Sequence, residues 1–231
     1  INAYGRFRES TGLGAELDER LKRIDVDDPD ALQHLSSAVR ELVESEPLPT
    51  DIAEEIADAY TALSQQVGTD DVPVAVRSSA TAEDTAQYSF AGMFESFLNV
   101  RGRGELLKRV KACWASTFHA RVLFYRLKQG MPAEMPVGIV VQAMVNSDKA
   151  GVLFTVDPAT RDPDRIVIEA AWGLGEVVVL GQVTPDRYVL SKASGRVVEE
   201  SLGTKDFMLV RDAHTGATAR VDLTGDPRAS T

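Results

Sequence analysis

The stretch Val74–Val100, VAVRSSATAEDTAQYSFAGMFESFLNV, decides how this chain is read. Val72, Val74, Ala75 and Val76 are strand formers, and Pro73 suits a strand start. The apolar run ends on Arg77 and passes into small and hydroxyl residues, Ser78, Ser79, Ala80 and Thr81. A second small-residue turn, Ser89-Phe90-Ala91-Gly92, precedes Phe94, Phe97 and Leu98, where alternation resumes. A cation at a strand end beside a glycine turn suits a polyphosphate. Arginine presents a planar fork of donors to phosphate oxygens, and glycine lets backbone N–H groups approach them with no Cβ in the way. The residues alone fit equally well a strand, a loop and a second strand with an exposed Arg.

A family resemblance shifts that balance. VAVRSSATAED followed by SFAGMFESFLNV resembles the signature of the ATP-binding domain shared by phosphoenolpyruvate synthase, pyruvate phosphate dikinase and rifampicin phosphotransferase. A second block, Gly138–Lys192 (GIVVQAMVNSDKAGVLFTVDPATRDPDRIVIEAAWGLGEVVVLGQVTPDRYVLSK), resembles the later half of the same domain. With the helical stretch between them the blocks cover about half of the chain. The resemblance implies an ATP-grasp fold, in which two α+β lobes hold ATP between their sheets. It implies that Arg77 contacts nucleotide phosphates, that Gly92 and Ser96 belong to a phosphate-covering loop, and that Gln142 sits at the adenine edge with Met144 as apolar packing. The family pattern has a polar pair after the glycine and Thr at position 96; here Met93 and Phe94 follow Gly92, and Ser stands at 96. Backbone contacts survive that change and side-chain contacts do not. On its own, VQAMV reads as a buried strand with one polar residue.

In the second block, Thr155, Asp157, Glu169 and Glu176 are candidates to face metal or ribose, although acidic side chains there also cap turns and solvate edges. His119 tempts as a base, but a lone histidine in a helix is more often packing or surface.

Composition bounds the rest. With 231 residues, 44% hydrophobic and 26% charged, the chain reads as an ordinary globular protein with one large domain or two lobes. A formal charge of −10 argues against a general nucleic-acid binder while leaving room for a pocket with a few local cations. The single Cys113 excludes an internal disulfide and a cysteine metal cluster, and fits a reducing cytoplasm. No apolar run approaches the ~18 residues of a membrane span. The chain begins at Ile1 rather than Met, which suggests that its true start lies upstream.

The expected fold is α+β and ATP-grasp-like. Residues 1–66 read as helical, with Leu32, Leu35, Val39, Leu42 and Val43 at helical spacing after Asp28-Pro29, and with Asp51 and Glu54 as a capping pair. One long helix is expected over 104–129, with Leu107, Val110, Trp114, Phe118 and Val122 on one face. From 137 the period changes, and VGIVVQAMV, AGVLFTVDP, DRIVIEAAW, EVVVLG, DRYVLS and GRVVEESLG read as short, mostly antiparallel strands. The expected division is a first lobe over 1–136, holding the phosphate-loop block 67–102, a β-rich second lobe over 137–223, and a linker or frayed end over 224–231.

The resemblance further implies ATP and Mg²⁺ as ligands. It implies a parent enzyme that passes a phosphoryl group through a phosphohistidine domain to an acceptor bound elsewhere, pyruvate or a rifamycin. A truncated, non-catalytic nucleotide-binding module is the other reading. The family's Gly-rich lysine segment and its closing QxRP strand have no counterpart in these residues. The chain by itself is therefore expected to bind ATP weakly and to turn none over.

Overall fold

The computed structural model describes residues 2–22, 24–80, 84–85, 88–89, 95–135, 137–212 and 215–230, and its contacts divide the chain into two compact units, 1–144 and 145–231. Gly92 and the residues around it, 90–94, lie outside the described residues.

The first unit opens with helices α1 (Asn2–Thr11), α2 (Leu13–Leu21), α3 (Pro29–Ser45) and α4 (Thr50–Val67). Asp28 starts α3: its carboxylate accepts from the backbone N–H of Asp30 and Ala31, both at 3.0 Å, and Pro29 occupies the first turn, where no N–H is needed. Gly68, at φ 76°, closes α4 in the left-handed conformation that only glycine adopts freely. Asp51 is not a cap. Helix α4 already starts at Thr50 behind Pro49, and the Asp51 carboxylate pairs instead with Arg6 of α1, which also holds Glu55 at 2.9 Å.

Strand β1 (Val74–Ala80) follows, then the two-residue strands β2 (Asp84–Thr85) and β3 (Tyr88–Ser89), β4 (Ser96–Val100), helices α5 (Arg103–Ser116) and α6 (Ala120–Lys128), and β5 (Val137–Ala143). Strands β4, β1 and β5 form one antiparallel sheet with β1 in the middle. A register shift in the β1–β4 pairing, with Asn99 at φ 55°, inserts an extra residue into β4. Because of it Phe97 and Val100, three apart, lie opposite Val76 and Val74. The buried Val74, Val76 and Val100 join a core built with the helices, including Phe7, Leu17, Val39, Val43, Ile52 and Trp114; Phe7 and Trp114 stack with ring centres 5.5 Å apart.

The single helix expected over 104–129 is two helices. At Thr117–His119 the hydrogen bonds tighten to the i+3 pattern, and His119 turns extended at φ −55°, ψ 141°. Carbonyls that a continuous helix would use internally are taken by tertiary partners: Ser36 Oγ donates to Phe118 O at 2.7 Å, and the buried Arg126 guanidinium donates to Thr117 O. Apolar periodicity runs through the break because Phe118 is itself buried. Strand β5, which periodicity groups with the β-rich remainder, pairs along its whole length with β1 and belongs to the first unit.

The second unit carries β6 (Lys149–Phe154), β7 (Arg165–Trp172), a helical turn α7 (Glu176–Val179), β8 (Asp186–Ser191), β9 (Val197–Ser201), a hairpin of β10 (Phe207–Arg211) and β11 (Thr218–Asp222), and a 3₁₀ turn at Pro227–Ser230. Strands β6 to β9 form an antiparallel meander in sequence order. The EVVVLG run, expected as a strand, is helical: it turns directly after Gly173-Leu174-Gly175 and buries Val177. The last residues do not behave as a frayed linker. Leu223 is buried, Lys205 N–H donates to Ala229 O at 2.8 Å, and Trp172 Nε1 donates to Arg228 O at 2.9 Å. A buried ion pair, Lys205 with Asp186, ties the segment after β9 to the start of β8. The pair is completed by Gly203 N–H donating to Asp186 Oδ1 at 2.9 Å and by Lys205 Nζ donating to Gly203 O at 2.9 Å.

Candidate functional site

The register of the three-stranded sheet brings separate parts of the sequence onto one face. Arg77 lies opposite Ser96 of β4 and Val140 of β5, and Ala75 lies opposite Gln142. Directly opposed residues share a face, and so do residues two apart along a strand. Arg77, Ser96, Val140 and Gln142 therefore stand together on the face turned away from Val74, Val76 and Val141, which pack into the helical core. Arg77 and Gln142 are diagonal neighbours, a relation that sets their positions about 7–8 Å apart. All four are exposed. Among the described residues no carboxylate forms an ion pair with Arg77, whose side chain is exposed. Met144 is half-buried, and its N–H donates to Pro73 O at 2.8 Å, extending the β1–β5 pairing to the end of the unit.

Below this face lies Cys113 of α5. Its thiol donates to Val76 O at 3.6 Å, and burial pushes its pKa up to about 12. It is a packed thiol rather than a nucleophile.

The acidic candidates fall in the second unit. Asp157 is a turn former: its Oδ1 accepts from Ala159 N–H at 2.8 Å and Thr160 N–H at 3.3 Å. Those backbone donors, with the Arg187 charge nearby, hold its carboxyl below the usual range. Thr155 is exposed beyond β6, Glu169 lies between Val152 and Arg187 in the meander, and Glu176 opens α7. No group of three His, Cys, Asp or Glu side chains among the described residues is placed to hold a metal ion. Among them, too, no helix is long and apolar enough to cross a membrane.

Two residues outside the sequence-based set adjoin the site. Glu95, just before Ser96, accepts a hydrogen bond from His119 Nε2 through Oε1 at 2.7 Å, and Arg40 of α3 lies 3.9 Å from the same oxygen. Separations of 24 and 55 residues hide this cluster from any local sequence pattern.

The family model of the pyruvate phosphate dikinase AMP/ATP-binding domain matches residues 1–230. The chain belongs to this family. The match takes in the helical residues 1–66, which periodicity reads only as a packed subdomain. Similar family members include the probable phosphoenolpyruvate synthase of Methanothermobacter thermautotrophicus, 46% identical over 210 residues, which are 90% of this chain and 31% of that protein. The phosphoenolpyruvate synthase of Pyrococcus furiosus is 47% identical over 197 residues, 85% of this chain and 24% of the relative. That of Aeropyrum pernix is 42% identical over 223 residues, 96% of this chain and 27% of the relative. The chain thus spans between about a quarter and a third of the length of these dikinase-family relatives.

Proposed function

We propose that the Arg77–Ser96–Gln142 face is the floor of an ATP site, in an ATP-grasp arrangement whose phosphate loop includes Gly92. The observation that carries this reading is the shared sheet face, where a guanidinium with no acidic partner among the described residues meets a hydroxyl on one neighbouring strand and an amide on the other. Arg77 binds phosphate oxygens through its planar fork, and Ser96 adds a hydroxyl donor beside it. Gln142 and the backbone of β5 face the adenine edge, with Met144 as apolar packing. The family membership supports nucleotide binding at this domain.

The parent activity belongs to the same proposal. The domain binds Mg-ATP and hands a phosphoryl group to a phosphohistidine domain, which passes it to pyruvate in an enzyme of the phosphoenolpyruvate-synthase type. The names of the relatives favour pyruvate over a rifamycin as acceptor. Mg²⁺ supplies charge neutralisation of the transferred group when bound. The described carboxylates form no cluster that fits it, and no residue is assigned to it.

Calorimetry of Mg-ATP with this chain tests the proposal. Binding in the millimolar range or weaker is expected, with no phosphate release, because each lost charge-assisted contact costs ~1.5–3 kcal/mol and each ~1.4 kcal/mol is tenfold. Arg77→Ala should weaken it by a further factor of about ten or more. Binding that is indifferent to Arg77→Ala would refute the site.

A further inference from the structure

Residue Glu95 stands between the core and the candidate face. It directly precedes β4, and alternation sends its side chain to the helical side while Ser96 faces outward beside Arg77. Four groups from three places hold it. Its carboxylate contacts His119 Nε2 at 2.7 Å and lies 3.9 Å from Arg40 NH2, its N–H donates to Ser116 Oγ at 3.4 Å, and its carbonyl accepts from Cys113 Sγ at 3.8 Å. Arg40 also lies 3.8 Å from Glu44 on its own helix, so the cation is shared between two carboxylates. His119 itself sits in the break between α5 and α6, the point that Ser36 and Arg126 pin from α3 and α6. The break therefore carries an imidazole to Glu95, within the phosphate-loop block and directly before β4.

We propose that Glu95, gripped by His119 and Arg40, is a positioning residue for nucleotide phosphate: it fixes the start of β4 so that the Ser96 hydroxyl stands beside Arg77. This rests on the nucleotide reading above. A half-exposed carboxylate with one close imidazole and one distant guanidinium contributes little to global stability. Its effect is local, on the strand end that holds Ser96.

The test follows the amide signals of Ser96 and Arg77 by NMR while Mg-ATP is titrated into the chain. Glu95→Ala and His119→Ala should each weaken binding about three- to tenfold, the size of one ordinary hydrogen bond because neither residue touches the nucleotide itself, and the double variant should be no weaker than the worse single one. His119→Gln, which keeps a donor at similar reach, should bind nearly as wild type does. Ser64→Ala is the control: it removes a buried hydrogen bond, from Val72 N–H at 3.2 Å, outside the Glu95 cluster, so it should lower the melting temperature and leave the affinity unchanged. Wild-type affinity in Glu95→Ala, or an equal loss in Ser64→Ala, would overturn the positioning role. Arg77→Ala separates the two claims. If it weakens binding while Glu95→Ala does not, only the positioning role fails; if it has no effect, the nucleotide site fails and this role with it.

Discussion

Arg77 and Cys113 occupy opposite sides of the same strand, and their surroundings set opposite chemistry. Arg77 stands on an open face without an acidic partner among the described residues. Cys113 is fully buried behind Val76, where desolvation favours the neutral thiol. A thiol whose folded pKa lies above its unfolded value keeps its proton in the native state after the unfolded chain has lost it. Its stabilising effect is therefore complete below the ordinary thiol pKa, about 8.5, and shrinks as pH rises towards about 12. The loss runs at up to ~1.4 kcal/mol per pH unit. Denaturation midpoints of wild type and Cys113→Ala should accordingly converge between pH 8 and pH 10; a constant gap would mean that the thiol is solvated. Asp157 shows the reverse outcome for a candidate site residue. The FTVDP pattern makes it look available to metal, yet its Oδ1 is already used by the turn that it closes and its Oδ2 lies 3.6 Å from Arg187.

At the scale of elements, glycine marks where two backbones must touch. A Cβ on Gly203 would lie 2.1 Å from Thr184 O and 2.4 Å from Pro185 O, both backbone atoms that cannot rotate away. Gly203→Ala must displace the segment that satisfies the buried Asp186–Lys205 pair, and breaking such a pair costs about 3–5 kcal/mol. Chemical denaturation should show that loss, while Gly104→Ala, with open space in the first turn of α5, should be neutral or slightly stabilising. Equal effects would contradict the close approach. Elements were legible in the sequence where one local rule acts alone. The stripe Leu32, Val39 and Val43 with Asp28-Pro29 ahead of it predicts α3, and alternation predicts β6, β7 and β8. They were not legible where tertiary bonds override period. Ser36 and Arg126 split the helix at Thr117–His119 from positions 82 and 9 residues away from the carbonyls they hold. The EVVV run has strand propensity, but a glycine-rich turn and the burial of Val177 coil it instead. The pairing of Arg77 with Ser96, and the placing of Gln142 two residues beyond Val140, depend on register, which a single sequence does not print.

Across the whole molecule, the first unit combines a helical layer with a small sheet, and the second is an antiparallel meander with a hairpin and a closing turn. The formal charge of −10 gives no long-range attraction for a nucleotide, so binding must depend on the local Arg77 face. A crystal structure of the chain soaked at high concentration with Mg²⁺ and a non-hydrolysable ATP analogue tests that most directly. Phosphate oxygens are expected within hydrogen-bond reach of the Arg77 guanidinium and the Ser96 hydroxyl, with the adenine beside Gln142. Nucleotide bound elsewhere, with Arg77 free of phosphate, would contradict it.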